Sequence, residues 1–366
     1  MNSSLYIHIP FCKRLCGYCD FFKSVALVHK PDVLVRLAEE MAERAPMLEA
    51  TTLKTIYFGG GTPTVCTPEE LGSLLDCAAR TFDCSEVEEV TVEANPDDLT
   101  EEYLRGLRAI GVNRLSIGIQ SFRDKDLELM NRRHTAAEAI ESVERARKAG
   151  FDNISIDLIY GLPDATLADW EQNVRKAIAL GVEHISAYHL TIEERTRFGK
   201  QGIVTAPEEL SDKEYSLLCD LLREAGYDHY EISNFSLPSR RSRHNSAYWK
   251  GTPYLGLGPG AHSFDGERTR SWNRASIKEY LEGAQPEQEL LTATERYEEY
   301  IMVSLRTREG VNLRELAEQF GTARTEHFRA HARRWIESGV LLQNDDTIFF
   351  SESEWLISDS VIVDLF

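Results

Sequence analysis

Positive charge is scarce in this chain. It carries 41 Lys+Arg against 60 Asp+Glu, a formal net charge of −19. Phosphate-backbone binding needs clustered cations, so nucleic acid is not an expected partner. Cysteine is scarce as well: seven in 366 residues is too few for a disulfide framework. No run approaches the ~18 apolar residues that a membrane-crossing helix requires. The opening residues, MNSSLYIHIPFC, hold neither a basic stretch nor a long apolar one, so no secretory leader is expected and the cytoplasm is the expected location. Hydrophobic residues make up 42%, enough for a buried core and too many for a disordered chain.

What is present is a repeated alternation in the first half. Short β-rich runs at 5–10, 55–58, 89–93, 114–119, 154–160 and 184–190 are separated by amphipathic stretches at 31–48, 68–81, 100–110, 136–150 and 167–181. Strands alternating with helices of this length predict βαβ crossovers and a parallel sheet. The expected fold class is α/β, a partial (β/α)6 barrel over residues 1–192. Residues 193–290 are less regular and read as a connector, with one helix at 212–225. Residues 291–366 change pattern: helical runs at 293–305, 313–319 and 325–338, then a hairpin turning at Asn344-Asp345-Asp346. That is a winged-helix-like order. The segment holds 8 Lys+Arg against 14 Asp+Glu, so it reads as a packing module and not a DNA reader.

Three of the seven cysteines crowd into eight residues, Cys12-Lys-Arg-Leu-Cys16-Gly-Tyr-Cys19, directly after the first strand. Three thiolates on one loop can ligate three irons of a [4Fe–4S] cluster and leave the fourth iron open. A zinc site with His8 as fourth ligand is the rival reading. Gly59-Gly60-Gly61-Thr62-Pro63-Thr64 follows the second strand, where consecutive glycines admit a ligand close to backbone. The other strand ends carry Glu93, then Ser116, Gly118 and Gln120, then Asp157 and His189, as expected where a barrel builds its site. Arg132 and Arg133 follow in a loop suited to a carboxylate.

Cysteine spacing of this kind resembles that of the radical S-adenosylmethionine (SAM) superfamily. Tyr6-Ile-His-Ile-Pro-Phe-Cys12, the GGGTPT run, Val92-Glu-Ala-Asn-Pro96, the 116–122 run and Gly256-Leu-Gly-Pro-Gly-Ala-His-Ser-Phe264 together resemble the HemN/HemW family over nearly the whole chain. The resemblance implies a cluster on Cys12, Cys16 and Cys19, and SAM on the open iron. It places SAM contacts on Tyr6, Tyr18, Gly60, Gly61, Thr62, Glu93, Gln120, Arg132 and Asp157. In that family an electron, supplied by a flavodoxin- or ferredoxin-type donor, splits SAM to a deoxyadenosyl radical.

The family holds oxygen-independent coproporphyrinogen III oxidases and heme chaperones, and three features separate them. The oxidases carry a fourth cysteine where this chain has Phe21. Their N-terminal segment is longer; here eleven residues precede Cys12. His244-Asn245-Ser246-Ala247-Tyr248-Trp249 matches the HNxxYW motif of the chaperones. An imidazole is a standard axial heme ligand, and the two aromatics offer faces for a porphyrin. Arg240, Arg241 and Arg243, beside the motif, are expected to meet heme propionates. The resemblance thus implies a heme chaperone that binds cluster, SAM and heme on His244 and passes heme to acceptor hemoproteins. Coproporphyrinogen oxidation, and a zinc- or cluster-stabilised scaffold without SAM chemistry, stand as alternatives. Whether SAM is cleaved is left open.

Overall fold

The computed structural model describes residues 2–48 and 51–366. Six strands alternate with helices as the sequence predicts: β1 (Asn2–Ile9), β2 (Thr52–Gly60), β3 (Glu89–Ala94), β4 (Arg114–Gln120), β5 (Ile154–Tyr160) and β6 (His184–His189). All six pair in parallel, in chain order. Four of the intervening helices start on threonine, at Thr67, Thr100, Thr135 and Thr166. Thr67, Thr135 and Thr166 each accept from the backbone three residues on, where Glu70, Glu138 and Asp169 return the bond. Each such cap is worth about 1 kcal/mol and fixes where a helix leaves its loop.

Residues 193–290 do not stand apart as a connector. They add β7 (Asp228–Glu231), β8 (Asn234–Ser236), β9 (Tyr254–Leu257), β10 (His262–Phe264), β11 (Thr269–Trp272) and β12 (Glu287–Leu290) to the same sheet. Strand order is β12-β11-β10-β9-β1-β2-β3-β4-β5-β6-β8-β7. β9 runs parallel to β1, and β8 lies antiparallel to β6. The sheet is therefore curved but open, with antiparallel extensions at both edges.

Side chains alternate along the strands with period two. Val90, Val92 and Ala94, Leu115, Ile117 and Ile119, and Ile154, Ile156 and Leu158 belong to one large hydrophobic core. The residues between them are Thr91 and Glu93, Ser116 and Gly118, and Ser155 and Asp157. One face of the sheet is thus greasy and the other polar. That polar face is the inside of the partial barrel.

Residues beyond 291 form a second core of their own, including Ile301, Leu316, Phe328, Leu341 and Trp355. Helices Ala293–Leu305, Leu313–Phe320 and Thr322–Glu337 precede a hairpin of β14 (Leu341–Asn344) and β15 (Thr347–Phe350). The two-residue strand β13 (Val311–Asn312) pairs with β15, which completes the winged-helix-like order. No helix among the described residues is long and apolar enough to cross a membrane.

Candidate functional site

The cysteine loop leaves β1 at the C-terminal end of the barrel and is held by backbone. Cys12 N–H donates to Ser24 O (2.9 Å), Gly17 N–H to Met130 O (3.0 Å), and Phe198 N–H to Gly17 O (2.9 Å). Asn131 adds a bond to Leu15 O (2.8 Å). The loop is thus shaped before any metal arrives. Thr62 Oγ1 donates to Cys12 Sγ (3.4 Å) and Arg132 Nη1 to Cys16 Sγ (3.3 Å), contacts that favour thiolates. Burial pushes the Cys12 thiol up to about 11, so iron has to displace its proton.

The zinc alternative fares less well here. Tetrahedral zinc at ~2.3 Å from each sulfur needs sulfurs within about 4 Å of one another. Among the described residues the loop cysteines form no ligand set within 4.8 Å. His8 is engaged at both nitrogens, Nδ1 with Tyr6 Oη and Nε2 with Phe22 O, each at 3.1 Å. A cubane cluster, which spreads its three cysteines, suits this loop better.

Beside the loop, the glycine run forms a cradle. Gly60 sits at φ 108°, in the region that favours glycine. A Cβ on Gly61 would lie 2.7 Å from Phe11 O and 2.8 Å from Phe11 N. Gly61→Ala is therefore expected to push the cysteine loop outward. It should cost roughly 1–3 kcal/mol of stability and lower the iron content. Denaturant unfolding and iron assay check this; unchanged values would refute the tight approach.

Glu93 lies next to the cradle. Tyr57 Oη donates to its Oε1 (2.8 Å) and Gly60 N–H to its Oε2 (3.1 Å). Burial, with Asp157 adding to it, raises the Glu93 carboxyl to about 7. Asp157 accepts from Ser116 Oγ (3.5 Å), and burial raises it to about 6. Two carboxyls with raised pKa values face a polar barrel interior and suit a cationic ligand. Arg132 also donates to Asn95 Oδ1 (2.7 Å), and its Nε is buried without a partner. Arg133 instead pairs with Asp97 (2.6 Å) and Asp98 (2.9 Å). Gln120 adopts φ 73° at the irregular end of β4, a strained backbone of the kind found at sites. Tyr18 packs toward Phe198 with ring centroids 6.4 Å apart. His189 is turned away to Ser211 (3.0 Å).

The structure places His244 well away from the cysteine loop. It lies on helix Arg243–Trp249, near the N-terminal ends of β1 and β2. The residue is 1% exposed. Nδ1 lies 2.8 Å from Thr55 Oγ1 and Nε2 2.9 Å from Tyr248 Oη. The ring stacks on Tyr57 at 4.8 Å. Tyr57 in turn stacks at 6.0 Å on Tyr6, its register partner on β1, and the His244 ring lies 6.3 Å from Tyr6 as well. Tyr57 and Thr55 were not singled out from the sequence. Their signal was the inward alternation Thr55, Tyr57, Gly59.

Below that helix opens a cleft of about 1240 Å³ between sheet and C-terminal module. Tyr248, Trp249, Phe264, Tyr300 and Phe320 contribute aromatic surface to it. His244 is not at its wall; Tyr248 stands between. The arginines of the basic run are already paired: Arg240 with Asp152, Arg241 with Asp228 and Glu309, Arg243 with Glu88. Arg296, also in the wall, has no carboxylate partner among the described residues and lies over the Phe320 ring.

A parallel partial barrel with a three-cysteine loop and a glycine cradle at its mouth is the plan of a radical SAM protein. The model of the Radical SAM superfamily matches residues 6–177, and that of the HemN C-terminal domain matches residues 291–357. Within that class the chain belongs to the HemW family. It is 36% identical to the heme chaperone HemW of Bacillus subtilis over 98% of this chain and 97% of that one. With the HemW of Mycobacterium tuberculosis H37Rv it shares 34% over 98% and 93%. Its fold matches the Escherichia coli coproporphyrinogen III oxidase HemN with a TM-score of 0.86, at 23% identity, over 99% of this chain and 89% of that one. Family membership implies a [4Fe–4S] cluster and SAM, and the cradle and loop fit both.

Proposed function

We propose that the protein is a heme chaperone: it holds heme in the cleft beneath helix Arg243–Trp249 and passes it to acceptor hemoproteins. The observation that supports this most is the cleft itself, large enough for a porphyrin and lined by Tyr248 and Trp249 of the HNxxYW motif. Cys12, Cys16 and Cys19 hold the cluster at the other end of the barrel. Glu93, Asp157, Gln120 and Arg132 hold SAM beside it, with Tyr6, Tyr18, Gly60, Gly61 and Thr62 completing the seat. When bound, the cluster supplies one electron and an open iron, drawing on a flavodoxin- or ferredoxin-type donor.

Ligation of heme iron by His244 then requires a movement. Nε2 becomes available when the Tyr248 hydroxyl turns away, which costs one hydrogen bond of about 1 kcal/mol. Tyr248→Phe removes that bond while keeping the ring. It is expected to bind heme up to several-fold more tightly, with the absorption spectrum of the unaltered protein. His244→Ala should bind more weakly and with an altered spectrum. Equal affinity and spectrum in His244→Ala would overturn the assignment. Multiple-turnover conversion of coproporphyrinogen III to protoporphyrinogen, with SAM and reductant present, would overturn the chaperone reading in favour of the oxidase.

A further inference from the structure

A second set of metal-ligand side chains lies outside both sites. Cys219 Sγ, His229 Nδ1 and a Glu352 carboxylate oxygen all fall within 4.8 Å of one another. Each comes from a different element. Cys219 is on helix Glu208–Glu224, His229 on β7, and Glu352 begins the short helical stretch Glu352–Ile357 of the C-terminal module. One nitrogen faces both other ligands: His229 Nδ1 is 3.8 Å from Cys219 Sγ and 3.0 Å from Glu352 Oε1. Around a tetrahedral zinc ion those separations would be about 3.6 Å and about 3.3 Å. Shifts of a few tenths of an ångström bring those two pairs to coordination distances, and the sulfur–carboxylate pair, now within 4.8 Å, closes to about 3.5 Å through the half-exposed Glu352 side chain.

The imidazole is already oriented. It stacks on Phe235 at 4.0 Å and meets the edge of Trp355 at 4.3 Å, so its plane is clamped from two sides. Glu352 Oε2 accepts from Arg223 Nη2 at 3.0 Å, which fixes the carboxylate and leaves Oε1 to the site. Cys219 and His229 are buried, while the Glu352 side chain is 38% exposed. The site is dry on two sides and reaches water on the third. Such outer partners are what hold metal ligands in place.

We infer that Cys219, His229 and Glu352 form a binding site for a zinc-like divalent cation, with water as the fourth ligand. A sulfur, a nitrogen and an oxygen in tetrahedral reach select zinc or cobalt over magnesium or calcium, which prefer all-oxygen sets. Binding releases one proton to solvent, that of the Cys219 thiol; the single imidazole proton of His229 sits on Nε2 when Nδ1 holds the ion, so the ring stays neutral. The ion joins β7 and its helix to the C-terminal module, whose own core includes Trp355. It acts as a clasp between the two cores, separate from the iron and heme chemistry.

The cysteine loop also takes thiophilic metals, so the test removes it. The full-length variant with Cys12, Cys16 and Cys19 all changed to serine is titrated with Co²⁺ alone, then with Zn²⁺ alone. One equivalent of Co²⁺ is expected, with the visible bands of a tetrahedral ion and a thiolate charge-transfer band. Adding Cys219→Ser should remove the charge-transfer band, and adding Glu352→Gln should weaken binding at least ~10-fold. Zn²⁺ should raise the unfolding temperature of the parent variant and not that of the Cys219→Ser form. No stoichiometric cobalt in the parent, or bands and melting shifts indifferent to both added substitutions, would overturn the site. Cluster-loaded protein with the loop intact supplies the second measurement: it should retain one zinc per chain after dialysis, and retention of none would overturn it equally.

Discussion

Changing any one of Cys12, Cys16 or Cys19 to alanine is expected to leave the protein essentially without its [4Fe–4S] cluster. Three thiolates are the whole protein share of such a site, so two cannot hold it. Because the loop is pinned by backbone bonds to Ser24, Met130 and Phe198, the remaining cysteines do not shift to compensate. The other cysteines are poor substitutes. Cys66 is 1% exposed with its N–H held by Pro63 O, and Cys219 sits on helix Glu208–Glu224 against His229, so neither belongs to the loop. Reconstituted wild-type protein should hold about four irons and four sulfides per chain. Each single variant should hold almost none, while Cys66→Ala should match wild type. A Cys16→Ala protein with full iron, sulfide and reduced-state electron spin resonance would refute the ligand set.

The second large effect concerns SAM affinity and pH. Burial raises Glu93 from the ordinary 4.5 to about 7, so near neutrality the folded protein carries it partly protonated. A ligand bearing an ammonium and a sulfonium favours the carboxylate, and its binding expels the proton. Affinity should therefore fall about 10-fold for each pH unit below 7, and level off above 8. Glu93→Gln removes both the charge and the pH dependence, and should weaken SAM on the order of 100-fold. Without ligand the linkage runs the other way. A carboxyl raised from 4.5 to about 7 contributes stability that is complete below pH 4.5 and disappears as pH rises through 7. Calorimetric titration with SAM from pH 6 to 8.5 measures the slope. A flat affinity in the wild type, or an equal slope in Glu93→Gln, would sink the role of this carboxyl.

Much of this site could be read from sequence because it is written locally. The threonine caps, the strand alternation and the cysteine loop each occupy a few consecutive residues. Glu93, Gln120 and Asp157 were legible because strand ends of a parallel barrel converge whatever lies between. Long-range pairing was not legible. β9 is four residues long and finds β1 across some 250 residues, with nothing in its own composition to name that partner. The same distance hid the cluster around Cys219, which reads as a plain core residue until β7 and the C-terminal module supply His229 and Glu352. For His244 the motif supplied the residue type and not its environment. The i, i+4 spacing that brings Tyr248 over Nε2 is a helical relation, and the loop-like composition around residues 243–249 carries no helix signal of its own.

The Thr55 contact has a consequence for which proton His244 carries. Burial lowers the imidazole to about 3, so it holds a single proton at any physiological pH. The Thr55 hydroxyl donates to Ser4 Oγ at 2.9 Å, which leaves its oxygen to accept from Nδ1–H. His244 is therefore the Nδ1–H tautomer, and the lone pair sits on Nε2, beneath the Tyr248 hydroxyl. That is the form an iron ligand requires, and acid does not compete for it as it would for an exposed imidazole. The heme-bound spectrum should accordingly stay constant from pH 8 to about 5. Loss of the axial ligand near pH 6 would show that the imidazole ligating heme is an exposed one.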